Sequence, residues 1–255
     1  MSGAAWSATP PLVLGAPPVQ SATQAHRLYD PLARYLSSAL GRPVVFRPAR
    51  AWWIYQDRVQ KGRYDIVLDG PQFTGWRMAR LGYKVVARAR NPVSLDIVVR
   101  ARSVFRRPRD LAGQTLCATP PPSLAGLVAE QVVADPVAQP HLLDAHGPRA
   151  VIEAVRHGLC AAGVVPAGVT LHSGLRVLRR ESFPGQAFSV SPVLGHKVAL
   201  QLRTALLATT AKSVLRPLIQ TYSMGGLRAA SGHASVGSAN LLQSTWGFYP
   251  ISLLR

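Results

Sequence analysis

The segment Asp69-Gly70-Pro71-Gln72 combines residue types that could bind a ligand where a strand meets a helix. It follows the apolar run Ile66-Val67-Leu68, which is typical of a buried parallel strand, and it precedes the helical pattern "PQFTGWRMARLG". The first N–H groups of a helix have no partner within that helix, so its amino end favours an anion. We therefore interpret this segment as a candidate binding turn. Asp69 has two interpretations, an acceptor that faces a ligand or a turn residue that bonds its own backbone.

Other side chains near predicted helix starts could also contact a ligand. Trp52 and Trp53 open a predicted helix over about residues 52–61, where one indole would line a cleft and the other would pack in the core. We assign Trp52 to the cleft, and we expect Phe73 to line it as well, with the Gln72 amide pointing at the ligand. Ser123 is predicted to cap the helix in "PPPSLAGLVAEQVV", and a cap at that place could also border the ligand site.

Signatures of catalysis and of metal binding are missing from the sequence. The only glutamates, Glu130, Glu153 and Glu181, are far apart, so no paired-carboxylate motif stands out. The seven histidines include no H-E-x-x-H spacing, and there is neither a G-x-S-x-G turn nor a Walker loop. We therefore expect a binding protein without catalytic residues, cofactor or metal.

The net charge is +18, and most of the cations are arginines scattered along the chain. The densest clusters, "RARSVFRRPR" at 100–109 and "RVLRR" at 176–180, do not alternate with the several aromatic residues that stack on nucleic-acid bases. The pattern favours a basic surface without a nucleic-acid partner. Such a surface raises the local concentration of small anions near any cleft.

Short strands alternate with amphipathic helices from residue 12 onward, which predicts an α/β fold with parallel sheets. Ligands of such folds bind outside the carboxyl ends of the strands, the position of the turn after Leu68. One helix start is open. Asp30-Pro31 would be either a cap followed by the first helical residue, or the interior of a helix that begins earlier and kinks there.

Four stretches, taken in order, carry a resemblance to a known family. They are "LYDPLARYLSSALGRPV" (28–44), "QKGRYDIVLDGPQFTGWRMARLGYKVVAR" (60–88), "RPRDLAGQTLCAT" (107–119) and "AVIEAVRHGLCAAGVV" (150–165). The chain resembles the phosphonate/phosphate-type periplasmic solute-binding proteins of ABC transporters. That resemblance implies the two-lobed type II periplasmic-binding-protein fold, in which each lobe is a mainly parallel sheet flanked by helices. Lobe I would be residues 1–95 plus 192–255, and lobe II, inserted between them, residues 96–191.

The resemblance also implies ligand positions and partners. In the family an aromatic residue opens the helix before the third strand, here Trp52, and a Gly-Pro turn leads into contact residues, here Gly70, Pro71, Gln72 and Phe73. The opposite lobe usually offers a Ser-Thr-Ser-Gly turn, and this chain has Ser123, Leu124, Ala125 and Gly126 there, with two of the hydroxyls lost. A polar His/Asp pair of the family is replaced by Gly147-Pro148-Arg149, with His146 just upstream. The implied protein is a periplasmic monomer that closes about its hinge on a small anionic solute and delivers it to ABC permease subunits, and these departures leave the solute open.

Cys117 and Cys160 would form either one disulfide in an oxidising compartment or two buried thiols. The resemblance places them on neighbouring strands of lobe II. The start "MSGAAWSATPP" lacks the charged residues and the long apolar centre of a signal peptide.

Two further functions fit the same fold. A sensor domain would use the same binding site but pass the signal to another domain. A biosynthetic enzyme would need an acid/base or nucleophile constellation, which the sequence does not provide, and is less favoured.

Overall fold

The computed structural model describes residues 10–133, 137–169, 174–230, 232–243, 245 and 248. The described residues form two compact units. The first takes its residues from Met1–Asn91 and Gly185–Ala239, and the second from Pro92–Pro184 and Asn240–Arg255. Each unit contains one sheet, and helices flank both sheets, which confirms the α/β fold class.

The strands are β1 (Leu12–Gly15), β2 (Val44–Phe46), β3 (Ile66–Asp69), β4 (Lys84–Ala89), β5 (Val93–Arg100), β6 (Thr115–Ala118), β7 (His141–Asp144), β8 (Ala162–Pro166), β9 (Leu175–Phe183), β10 (Ala187–Val190) and β11 (Leu227–Ala229). The α-helices are α1 (Ala22–Leu40), α2 (Trp52–Gln60), α3 (Pro71–Leu81), α4 (Leu124–Gln131), α5 (Pro148–Arg156), α6 (Gly195–Leu207) and α7 (Ala211–Thr221). Segments of 3₁₀ helix cover Pro108–Leu111, Pro192–Leu194 and Gly232–Leu242. No helix among these described residues is both long and apolar enough to span a membrane.

The sheet of the first unit has the strand order β11-β4-β10-β3-β1-β2. Strands β1, β2 and β3 pair in parallel, and β10 lies antiparallel between β3 and β4, so four of the six strands run in one direction. The core joins leucines of the sheet to leucines of α1 and α6. The predicted mainly parallel sheet is therefore confirmed for the first unit in the sense that most strands share one direction.

The bounds of helix α1 decide between the two predicted positions of Asp30-Pro31. Ser21 caps it, because its hydroxyl accepts from the Gln24 N–H and the Gln24 side chain accepts from the Ser21 N–H. Pro31 lies inside the helix, so the helix begins well before Asp30, as the second interpretation held. Asp30 instead contacts the His26 imidazole one turn earlier, at 3.1 Å.

The second unit has the strand order β7-β6-β8-β5-β9, and all strands except β5 run in one direction. Cys117 and Cys160 form a disulfide with their Cα atoms 5.8 Å apart, and both residues are buried. Only Cys117 lies on a strand, since Cys160 lies in the loop that leads into β8. The cluster at 176–180, noted in the sequence for its charge, forms part of the edge strand β9.

The chain returns to the first unit earlier than residue 192. Strand β10, within the predicted lobe II, pairs with β3 and β4 of the first sheet. The Pro184-Gly185 dipeptide marks a turn between β9 and β10, but a turn signal does not show that the chain crosses to the other unit there. The first crossing lies at Asn91–Pro92, between β4 and β5.

Candidate ligand-binding site

Helix α3 starts at the carboxyl end of β3, as the sequence predicted. Gly70 is its extended N-cap and has no side chain that could cap the helix, and Pro71 is the first helical residue. A Cβ on Gly70 would lie 2.5 Å from Oε1 of Gln72, so the glycine lets the Gln72 side chain fold back against the helix start. Gln72 is almost fully buried there. The first turn contains no acidic residue, so the positive end of the helix dipole is not offset locally.

An aromatic cluster packs beside this helix start. Trp52, the first residue of α2, stacks on Phe73 with ring centroids 6.1 Å apart and an interplanar angle of 12°. Tyr55 meets the same Phe73 ring edge-on at 5.1 Å. Phe73 is 1% exposed and Trp52 is half-buried, so Trp52 presents the accessible aromatic surface and Phe73 supports it. Trp53 is 71% exposed, so neither indole is the buried core residue that the sequence predicted.

Asp69 has neither of its two predicted roles. Its carboxylate is fully buried and accepts from Nη1 and Nη2 of Arg77 at 2.5 and 2.7 Å, from Tyr55 Oη at 2.5 Å and from Thr74 Oγ1 at 2.9 Å. Arg77 also donates to Ser189 Oγ on β10 at 3.0 Å. Burial alone would lower the pKa of Arg77, but the Asp69 carboxylate outweighs it and raises that pKa above its usual value. Asp69 is therefore a buried structural anion whose charge is neutralised beneath the helix start.

Arg88 was not predicted as a site residue, and it lies on β4 at the same end of the sheet as Asp69. Ala187 on β10 is paired with Asp69 on one side and with Arg88 on the other, so Arg88 is about 10 Å from Asp69 across the sheet. Arg88 is 1% exposed, and its Nη1 donates to the Gly185 carbonyl at 3.0 Å. Burial, with a smaller contribution from Arg228, lowers the pKa of Arg88. The sequence signal for Arg88 was a charged residue near the end of the otherwise apolar strand "KVVARA".

In the second unit, Ser123 is the N-cap of α4. Its hydroxyl accepts from the Gly126 N–H at 3.1 Å and donates to the Thr119 carbonyl at 2.6 Å, so its proton is already engaged. The N–H groups of Leu124 and Ala125 have no acceptor among the described residues. A Cβ on Gly126 would lie 2.4 Å from the backbone nitrogen of Pro121, so glycine is needed for the close approach of the proline loop.

The start of α5 lies at the same edge of this sheet as the start of α4. Strands β6 and β7 are parallel neighbours with Ala118 opposite Asp144, and each leads into one of the two helices. Gly147 is the N-cap with φ 92°, a conformation that favours glycine, and no side chain caps α5. His146 is exposed just before this turn. Within the described part of the chain, no group of His, Cys, Asp and Glu could hold a metal ion.

Two α/β units with helix starts at the carboxyl ends of parallel strands are the arrangement that the resemblance to type II periplasmic binding proteins predicts, and structural neighbours share that fold. Residues 14–234 match the model of a single family, the periplasmic phosphonate substrate-binding proteins of ABC transporters. The chain therefore belongs to this family, which consists of transporter components and not of enzymes. The resemblance inferred from the sequence is confirmed.

Solved structures share the fold at low sequence identity. The Xanthomonas citri protein XAC2383 bound to ATP has a TM-score of 0.74 at 16% identity, over 91% of this chain and 96% of that one. PhnD1 from Prochlorococcus marinus in complex with methylphosphonate has a TM-score of 0.71 at 15% identity, over 91% and 97%. A binding protein component of an ABC phosphonate transporter from Pseudomonas aeruginosa has a TM-score of 0.67 at 16% identity, over 91% and 85%. No curated protein matches the sequence.

Proposed function

We propose that this protein captures a small anion of the phosphonate or phosphate class and delivers it to an ABC importer. The observation that carries the proposal is the start of α3. Its N-cap, Gly70, has no side chain to cap it and its first turn has no acidic residue, and the Asp69 carboxylate beneath it is neutralised by Arg77. Family membership supports the phosphonate class.

In this proposal the anion lies against Gly70–Phe73. A helix start attracts an anion through its dipole and through backbone N–H groups directed along the helix axis. The buried guanidinium of Arg88 adds positive charge at the same end of the sheet, two strands away from Asp69. Trp52 forms an apolar wall for the organic part of a phosphonate.

The second unit supplies the other half of the proposed site. The N–H groups of Leu124 and Ala125 are available to an acceptor, and neither α4 nor α5 has an acidic residue in its first turn. His146 and Arg149 flank the start of α5. We propose that the two units close about their connecting segments so that both helix starts contact the same anion.

The altered Ser123–Gly126 turn bears on affinity. Leu124 and Ala125 replace two hydroxyl residues of the family turn, and the Ser123 proton is engaged by Thr119. Hydrogen bonds to a charged group contribute about 1.5–3 kcal/mol each, so the loss of two of them weakens binding by about a hundredfold or more. We therefore expect weaker phosphonate binding than a complete hydroxyl turn would give, with the backbone N–H groups providing most of the contacts.

The disulfide supports an oxidising compartment, and we propose the periplasm as the location and membrane permease subunits as the partners of a monomer.

Isothermal titration with methylphosphonate, phosphate and sulfate, with free arginine as the cationic comparison, tests this function. We expect the anions to bind and arginine not to bind. Trp52→Ala should weaken methylphosphonate binding about tenfold, since a large aromatic contact is lost. The matched control Trp53→Ala removes an exposed indole and should change affinity by less than about twofold. Binding of arginine alone, or equal effects of both variants, would refute the proposal.

A further inference from the structure

The charge of the chain is unevenly divided between the two units. Residues 1–91 and 185–239 contain eighteen Lys and Arg and four Asp, so they carry +14 of the total +18. Residues 92–184 contain ten Arg and seven acidic residues, a net charge of +3. The arginines are about equally dense in the two parts, and the difference arises because most of the acidic residues lie in residues 92–184 and all four lysines lie in the first unit. The first unit therefore carries the stronger positive field, which raises the local concentration of anions.

One cavity of this unit, of about 340 Å³, is lined by arginines. Its lining residues are Val13, Arg47, Asp57, Arg58, Arg63 and Tyr64. Asp57 is its one carboxylate, and that group is already paired with Lys61 Nζ at 2.5 Å. Arg58 Nη1 donates to the Pro48 carbonyl at 3.0 Å, which holds this guanidinium in place and leaves its other N–H groups for a ligand. The lining is therefore strongly cationic.

Tyr64 gives this cavity a buried polar group. The residue is 1% exposed, and its ring lies so close to Gly15 that a Cβ there would be 2.3 Å from Cδ1. Its hydroxyl makes no hydrogen bond of acceptable geometry with any described residue. Burial raises the pKa of Tyr64, and the neighbouring Arg58 partly opposes that rise. The hydroxyl therefore keeps its proton at neutral pH, and it lies closed to solvent behind the cavity wall, next to Arg58.

The cavity is separate from the start of α3. Arg63 and Tyr64 precede β3, whereas Gly70 follows it, and the four residues of β3 span about 13 Å. Along α2, Trp52 is the first residue, whereas Asp57 and Arg58 lie in the second half of the helix.

We propose that this cavity is a second anion-binding site that takes a phosphate monoester. The guanidinium groups of Arg47, Arg58 and Arg63 would pair with the phosphate oxygens. A guanidinium can donate two parallel N–H bonds to a phosphate, which makes such a pair strong and directional. The cavity has room for about ten water volumes, so it accepts the organic group as well as the phosphate, with Val13 as an apolar contact.

Isothermal titration with phenyl phosphate tests the proposal, in about 150 mM salt so that diffuse attraction is screened. Saturating methylphosphonate is present to occupy any site at α3. We expect Arg58→Gln and Arg63→Gln each to weaken phenyl phosphate binding about tenfold or more, because each removes a charge-assisted contact. Tyr64→Phe removes a hydroxyl that is closed to solvent and should change affinity by less than about twofold. The control Arg203→Gln removes the same charge from an exposed position on α6 of the same unit and should change affinity by less than about twofold.

Thermal unfolding of each variant checks that it is folded, and Arg63 is exposed, so its replacement preserves the packing. Equal weakening by Arg63→Gln and Arg203→Gln would mean that only the overall charge attracts the phosphate, and would overturn the proposal. Absence of phenyl phosphate binding would overturn it too. Either result leaves the methylphosphonate titration as an independent test of the site at α3.

Discussion

Replacement of Arg77 by methionine tests the structural role of the buried Asp69–Arg77 pair. Both side chains are fully buried, and Arg77 is the only cation among the donors to the Asp69 carboxylate in the described part of the chain. Methionine keeps most of the apolar stem of arginine but removes the charge. The variant therefore leaves Asp69 buried with hydroxyl donors only.

Breaking a buried ion pair by removing one partner typically costs about 3–5 kcal/mol, because the remaining charge is neither solvated nor paired. Arg77 also donates to Ser189, so β10 loses a contact with α3. At about 2–4 °C per kcal/mol for a unit of this size, the unfolding midpoint should fall by about 6–20 °C. Replacing both partners, with Asp69→Leu and Arg77→Met, removes the stranded charge, so the double variant should lose less stability than the two single variants added together.

Urea unfolding followed by tryptophan fluorescence measures the effect, since Trp52, Trp53 and Trp76 all lie in the first unit. Arg80→Met is the matched control, because Arg80 lies on the same helix but is exposed. We expect the control to change the free energy of unfolding by less than about 0.5 kcal/mol. Equal losses for the Arg77 and Arg80 variants, or additive losses in the double variant, would refute the role of the pair.

Two further perturbations test the second unit. Reduction of the Cys117–Cys160 disulfide, which joins residues 43 apart in sequence, should lower the free energy of unfolding by about 4 kcal/mol, because the unfolded chain gains conformational entropy. Urea unfolding with and without reductant measures the loss, and thiol alkylation followed by mass spectrometry verifies the reduction. Equal urea midpoints would contradict this prediction. Gly126→Ala should destabilise the protein by at least about 1–3 kcal/mol, because the new Cβ would lie 2.4 Å from the Pro121 backbone. The control Ala125→Gly should cost about 1 kcal/mol or less. A thermal melt in which Ala125→Gly is the less stable variant would refute the close approach.

The sequence was sufficient for the elements whose signals are local. The apolar run before Asp69, the Gly-Pro turn and the αL glycine at residue 82 together determine β3 and α3, and the structure has α3 over the predicted residues. Ser123 was predicted as an N-cap from its residue type and position, and its hydroxyl does accept from the helix. Strand direction followed from the alternation of strands and helices.

Features that depend on distant parts of the chain could not be predicted. Asp69 was read as a turn residue or ligand acceptor because its partners, Tyr55 and Arg77, are separated from it by 14 and 8 residues and meet it only after α2 and α3 pack. The residues of β10 were placed in lobe II, whose predicted boundary is residue 191, because the pairing of β10 with β3 joins segments more than a hundred residues apart. Arg88 was passed over because only the antiparallel insertion of β10 places it at the same edge as Asp69.

A crystal structure of the protein grown with methylphosphonate tests the proposed site most directly. We predict phosphonate oxygens within hydrogen-bond distance of N–H groups in residues 70–73 and of the N–H groups of Leu124 and Ala125, with the methyl group against Trp52. Methylphosphonate bound elsewhere, or the two helix starts on remote surfaces with no ligand at either, would contradict it.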